Sequence, residues 1–197
     1  MSSLTKIKEP KKARIGIYSA GLHTYWDQFE GLRDCLMGYN AFIPEKLAAF
    51  GEVFNFGLVD TEDIGREAGE YFNSHNVDIV FSHAATYYTS ACVLPVHQIC
   101  KAPVIILNLQ PAAEMAYETT GTDRWLAQCV GCSIPEISNA FNRAGIPFRA
   151  VNGLLGLHET PAFAKADDCC LRVESAEVAA DLDKALKDSA LPPALAA

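Results

Sequence analysis

The chain lacks a phosphate-binding fingerprint. Nothing reads Gly-x-Gly-x-x-Gly after the first apolar run, and no Walker sequence occurs. The usual backbone cradles for nucleotides are therefore excluded. No apolar run approaches the roughly 20 residues needed to span a bilayer. The basic start of the chain has no apolar stretch of signal-peptide length. An excess of positive charge is missing too: 16 Lys and Arg stand against 24 Asp and Glu, a formal net charge of −8. Nucleic acid and anionic membranes are excluded as partners on that balance. Acidic side chains are absent from the end of the first strand, where Ser19-Ala20 stands, so a receiver domain's cation site is not encoded. There is no internal repeat and no low-complexity linker. Cysteine is not scarce, but its number, seven, is odd. Cys35, Cys92 and Cys100 have apolar neighbours at helical spacing, as small core residues of a reducing compartment do. A cytoplasmic setting is expected.

What is present is a pattern of alternating elements. The stretch from Asp78 to Pro111 holds two short runs rich in Val and Ile around a segment of helical spacing. Each run ends in polar side chains: Ser82 and His83, then Asn108 and Gln110. That is the pattern of a βαβ unit in a buried parallel sheet. Further strands are predicted at Arg14–Ser19, Val53–Val59 and Phe148–Asn152, with the second helix capped by Asp60 or Thr61. The first helix is predicted to break at Gly38-Tyr39-Asn40 and to restart at Pro44. The segment from Pro111 to Asp123 reads as a long polar connection, and Pro161 to Asp188 as helix-prone. Together these give an α/β fold: a doubly wound, flavodoxin-like or Rossmann-like parallel sheet of about five strands in three layers. Residues 1–12 are expected to be a flexible basic arm, 13–189 a single domain and 190–197 a frayed tail.

In such folds ligands sit beyond the carboxyl ends of the strands. His23 and His83 follow strands, and imidazole can bind metal, move a proton or hydrogen-bond a hydroxyl group. Asn108 and Gln110 follow the fourth strand. Tyr25, Trp26 and Tyr87, with Tyr88 and Tyr117, lie on the same connections; aromatic faces with polar tips suit hydroxylated ligands, or equally a subunit interface. His97, inside an apolar helix, reads as structural. Cys129-Val-Gly-Cys132 has redox-motif spacing, but a redox pair should follow an early strand and open a helix; this one falls past the fourth strand, inside a predicted helix. A zinc site using Cys169-Cys170 is disfavoured, because adjacent cysteines are poor tetrahedral ligands.

Several segments in order resemble the opening domain of the L-arabinose/L-fucose isomerase family: the run Ile15 to Leu32, then Val80-Phe-Ser-His83, Pro103 to Pro111, and Ile146 to Gly153. The resemblance spans residues 13 to 180. It implies aldose–ketose isomerisation in a multidomain oligomeric enzyme that holds a divalent metal, often manganese, in later domains. It adds Leu22 and Gln128 to the substrate-binding positions and supports His23 and His83. No catalytic residue, metal ligand or cofactor is assigned to this chain itself. Three readings follow: a substrate-proximal, oligomer-forming domain of an isomerase-like protein, inactive alone; a non-catalytic binding and assembly module on the same scaffold; or a small stand-alone enzyme using His23 and His83 as acid and base. The implied partners are a sugar or polyol and either further copies of the chain or a catalytic domain.

Overall fold

The computed structural model describes residues 12–112, 114–155, 157–158 and 172–173. The basic arm apart from Lys12, the 190–197 tail and Cys169-Cys170 lie outside the described residues. Five parallel strands form the main sheet: β1 (Ala13–Ala20), β2 (Gly51–Val59), β3 (Ile79–Ala84), β4 (Val104–Gln110) and β5 (Phe148–Leu154). Their order is β2-β1-β3-β4-β5, so the α/β, doubly wound, three-layer class is the observed one. The helices are α1 (Leu32–Leu47), α2 (Glu62–Ser74), α3 (Ser90–Ile99), α4 (Thr122–Gln128) and α5 (Ile134–Ala144). A separate antiparallel pair joins β6 (Leu157–His158) to β7 (Arg172–Val173). Of the helix-prone stretch Pro161 to Asp188, Arg172–Val173 is described, and it is strand.

Strand β1 is the spine. It pairs with both β2 and β3, and its continuous apolar composition suits a strand covered on both faces. Ile15 and Ile17 join Leu36, Tyr39, Ile43 and Leu107 in one buried cluster under α1 and α4. Tyr18, Phe72, Val80, Val96, Ile106 and Phe141 fill a second cluster under α2, α3 and α5.

The first connection departs from expectation. His23–Tyr25 forms a 3-10 turn, and α1 starts only at Leu32, behind Gly31 at φ 81°. The helix then runs unbroken through Gly38-Tyr39-Asn40 and Pro44. Tyr39, Asn40 and Ile43 are buried, and that burial outweighs local preferences of about 1 kcal/mol at Gly38. Pro44 lacks the N–H that would bond the Asn40 carbonyl, but it stands close to the helix end, where few turns depend on it. The second helix starts as expected: Thr61 Oγ1 accepts from the Ile64 amide at 3.2 Å.

Helices α2 and α3 approach closely because α2 presents Gly65, Ala68 and Gly69, all buried, to its neighbour. A Cβ at Gly65 would lie 2.2 Å from the Cys92 carbonyl oxygen, and one at Gly69 2.8 Å from Ile99 Cβ. Gly65→Ala is therefore expected to lower the unfolding free energy by about 1–3 kcal/mol. Urea denaturation checks this; an unchanged midpoint would show that the two helices tolerate greater separation.

Candidate functional site

The carboxyl ends of the central strands carry two different environments. At the ends of β1 and β3, Ser19 and His83 are fully buried, and Ser19 Oγ lies 2.8 Å from His83 Nδ1. Asn40 Nδ2 donates to the same Oγ at 3.0 Å, and Asn55 Nδ2 donates to Asn40 Oδ1 at 2.7 Å. This chain of polar groups ties β1, β2, β3 and α1 together. Burial pushes the His83 imidazole down to about 3, so it is neutral at physiological pH, and its Nε2 has no partner among the described residues. The Ser19–His83 spacing is that of a nucleophile and its base, yet neither side chain meets solvent. The pair acts as a structural clamp. Trp26 covers the turn after β1: its ring sits 3.0 Å from where a Cβ of Gly21 would be, and its Nε1 donates to Asp60 Oδ2 at 2.7 Å.

The second environment is open. Beyond the end of β4 a cleft of about 760 Å³ lies between the 111–121 connection and the junction of α4 with α5. Gln110 enters it from the strand and Gln128 from the end of α4. Tyr117, 75% exposed, and Trp125, 43% exposed, supply aromatic faces. Glu114 contributes a carboxylate, and Cys129 and Cys132 line the wall.

Side-chain hydrogen bonds fix that wall. Thr86 Oγ1 donates to the Leu126 carbonyl at 2.6 Å, the Tyr88 amide donates to Ser133 Oγ at 3.0 Å, and the Ser90 amide donates to Glu136 Oε1 at 2.8 Å. Glu136 thus satisfies a free amide at the start of α3 from the neighbouring α5. The same carboxylate is the chief cause that raises the Tyr87 hydroxyl pKa. Tyr25 is raised first by burial and then by the charge of Tyr87 and Cys129.

The sequence-predicted residues are divided by this geometry. Gln110 and Gln128 share the cleft; Tyr25 packs on the α1–α4 cluster and the Tyr87 hydroxyl donates to Glu136 Oε2 at 3.5 Å. Asn108 is bonded to Asn152 Oδ1 at 2.8 Å, and its own Oδ1 would be 3.9 Å from a Cβ at Gly131 on the cleft wall. His83 is sealed in the core. His23 is exposed on the 3-10 turn, its amide bonded to the Asp60 carbonyl at 3.3 Å. Leu22 packs on the α2–α3–α5 cluster, and Trp26 on the α1–α4 cluster. His83 pairs in register with Leu107, the residue before Asn108, while His23 stands exposed on the connection after β1. Sequence reasoning missed Trp125 and Met115, and it set the cysteine pair aside by placing it inside a helix. In the structure Cys129 caps α4 with non-helical backbone, and Cys132 lies in the 3-10 turn Gly131–Ser133 that precedes α5. Gly131 and Pro135 mark this interruption in the sequence, between a helix from about Arg124 and its resumption to Arg143. Among the described residues no three His, Cys, Asp or Glu side chains converge as a metal site, and no described helix is long and apolar enough to cross a membrane.

No protein-family model matches the chain, and no curated protein matches it. A solved structure from Bacteroides fragilis, described as a "putative acylhydrolase", aligns with a TM-score of 0.48 at 13% identity, covering 93% of this chain and 90% of that one. A likeness that distant carries no functional argument. The expected membership of the L-arabinose/L-fucose isomerase family is corrected: no family model supports it, and the structural neighbour bears a different description. The isomerase-domain function and its place in carbohydrate metabolism are withdrawn with it. The physical reason lies in the motifs. Ile15, Ile17, Val80, Phe81 and Ile105 to Leu107 are buried sheet residues, of the kind any two-faced parallel sheet requires.

The buried histidines set a pH dependence. An unfolded histidine takes up a proton near pH ~6.5, whereas burial holds folded His83 and His97 to about 3. Their contribution is complete above pH ~6.5 and is lost as pH falls toward ~3, at about 1.4 kcal/mol per pH unit for each group. Urea midpoints are expected to fall steadily between about pH 6 and pH 4. His97→Gln, which keeps an acceptor for Tyr18, should remove one histidine's share of that slope. An identical slope in the variant would show that His97 is not buried in its neutral form.

Proposed function

We propose that this chain binds a small, uncharged molecule bearing several hydroxyl groups in the cleft beyond β4. The observation that carries this reading is the pairing of two amide side chains, Gln110 and Gln128, with two exposed aromatic faces, Tyr117 and Trp125, around one cavity. An amide both donates and accepts, so it matches a hydroxyl group in either sense. An aromatic face packs against the C–H surface between hydroxyls. The cavity volume lies within the range of roughly 300–1,000 Å³ typical of small-molecule sites. Glu114 in the cleft and the net charge of −8 disfavour anions.

Calorimetric titration with a panel of neutral sugars and polyols tests the reading. At least one member is expected to bind, with Trp125→Ala weakening it about tenfold or more through lost aromatic contact. Gln110→Ala should weaken it about three- to tenfold, the worth of one hydrogen bond. Absence of heat for every member, or affinity that ignores both substitutions, would refute the assignment.

A further inference from the structure

The cleft wall carries a feature that ligand binding does not use. Cys129 and Cys132 are both free thiols, one buried and one exposed. The two stand three positions apart at the junction of α4 and α5, and both line the same cleft. Neither lies in regular helix, and the residue two before Ile134 opens onto the start of α5. Trp125, four residues before Cys129, lines the same cavity. The arrangement is a pair of thiols lining one open cleft, with Cys132 exposed and Cys129 buried.

We propose that Cys129 and Cys132 form a reversible dithiol–disulfide site in the wall of this cleft, oxidised by exchange with small-molecule disulfides. The exposed Cys132 thiolate attacks one sulfur of the small disulfide and expels the other as a thiolate, leaving a mixed disulfide on Cys132. The Cys129 thiol gives up its proton to the expelled thiolate and attacks Cys132 Sγ, releasing the second small thiolate. The second small thiolate takes up the proton that Cys132 shed, so the protein loses two protons and two electrons, and one small disulfide becomes two thiols. The order follows from the geometry, since an attacking thiol needs access and thiolate character. Burial and the Cys132 sulfur push the Cys129 thiol up to about 12, which fits it for the second, intramolecular step, where proximity replaces thiolate fraction. Closure brings the sulfurs to about 2.05 Å, and the link between them, Val130-Gly131, lies outside both α4 and α5.

The test uses the whole reduced chain, incubated with oxidised glutathione, alkylated with iodoacetamide and digested with trypsin. Arg124 and Arg143 flank both cysteines with no Lys or Arg between them, so one peptide reports the outcome. In the wild type that peptide is expected unalkylated and lighter by two hydrogen atoms, and doubly alkylated after dithiothreitol. Cys129→Ser should instead retain glutathione on Cys132, and Cys132→Ser should carry none. A wild-type peptide that stays doubly alkylated, keeps a glutathione adduct or is linked to another cysteine overturns the proposal. None of these readouts depends on a ligand for the cleft, and the wild-type result stands even if a variant fails to fold.

Discussion

The hydrogen bond between Ser19 and His83 is the constraint on which the rest of the molecule turns. In a sheet of this order the helices after β1 and β3 leave toward opposite faces, and a crevice opens between those strand ends. Here the crevice is occupied by the protein's own side chains. Ser19 and His83 join across it, Asn40 and Asn55 extend the chain toward β2, and Trp26 covers the turn above. The usual ligand position is thereby closed, and the space available for chemistry is displaced along the sheet to the end of β4.

Closing the site this way is expensive. Buried polar atoms without partners oppose folding by about 1–3 kcal/mol each, and His83 Nε2 and His97 Nδ1 are two such atoms among the described residues. The surrounding apolar clusters offset that loss, with Ile15, Ile17, Phe81 and Leu107 on one side of the sheet and Tyr18, Phe72, Val80 and Ile106 on the other. His97 is held by Tyr18 at 2.9 Å and by the edge of Phe141. Both imidazoles are specified as neutral, so the same contacts that define the core make it sensitive to acid.

Much of the fold was legible in the residues. Continuous Val and Ile runs marked β3 and β4, Thr61 marked the start of α2, and Cys35, Cys92 and Cys100 are the buried small residues their neighbours implied. The course of α1 was not legible, because Gly38 and Pro44 are local signals while Tyr39, Asn40 and Ile43 are buried by elements distant in sequence. The site was legible in part. Gln110 could be placed at a strand end by pattern alone, but whether a strand-end histidine faces a ligand or the core depends on which neighbour fills the crevice. His83 meets Ser19, a residue 64 positions away, and no local spacing records that meeting. The break beside the cysteine pair was legible at Gly131 and Pro135, but the cleft it borders was not, because that depends on the distant 111–121 connection.

The cleft gathers what the clamp leaves exposed. Amides, aromatic faces and thiols occur there together because the 111–121 connection and the α4–α5 break are free of the sheet's demand for apolar residues. The most direct measurement of this division is nuclear magnetic resonance mapping of the isotope-labelled chain during titration with neutral sugars and polyols. The expected result is a set of shifts confined to the Gln110 and Gln128 amides, the Trp125 indole and their neighbours, with the His83 ring unmoved. Shifts centred instead on His23, Trp26 and His83 would show that the crevice between β1 and β3 is the true site and that the clamp is not closed.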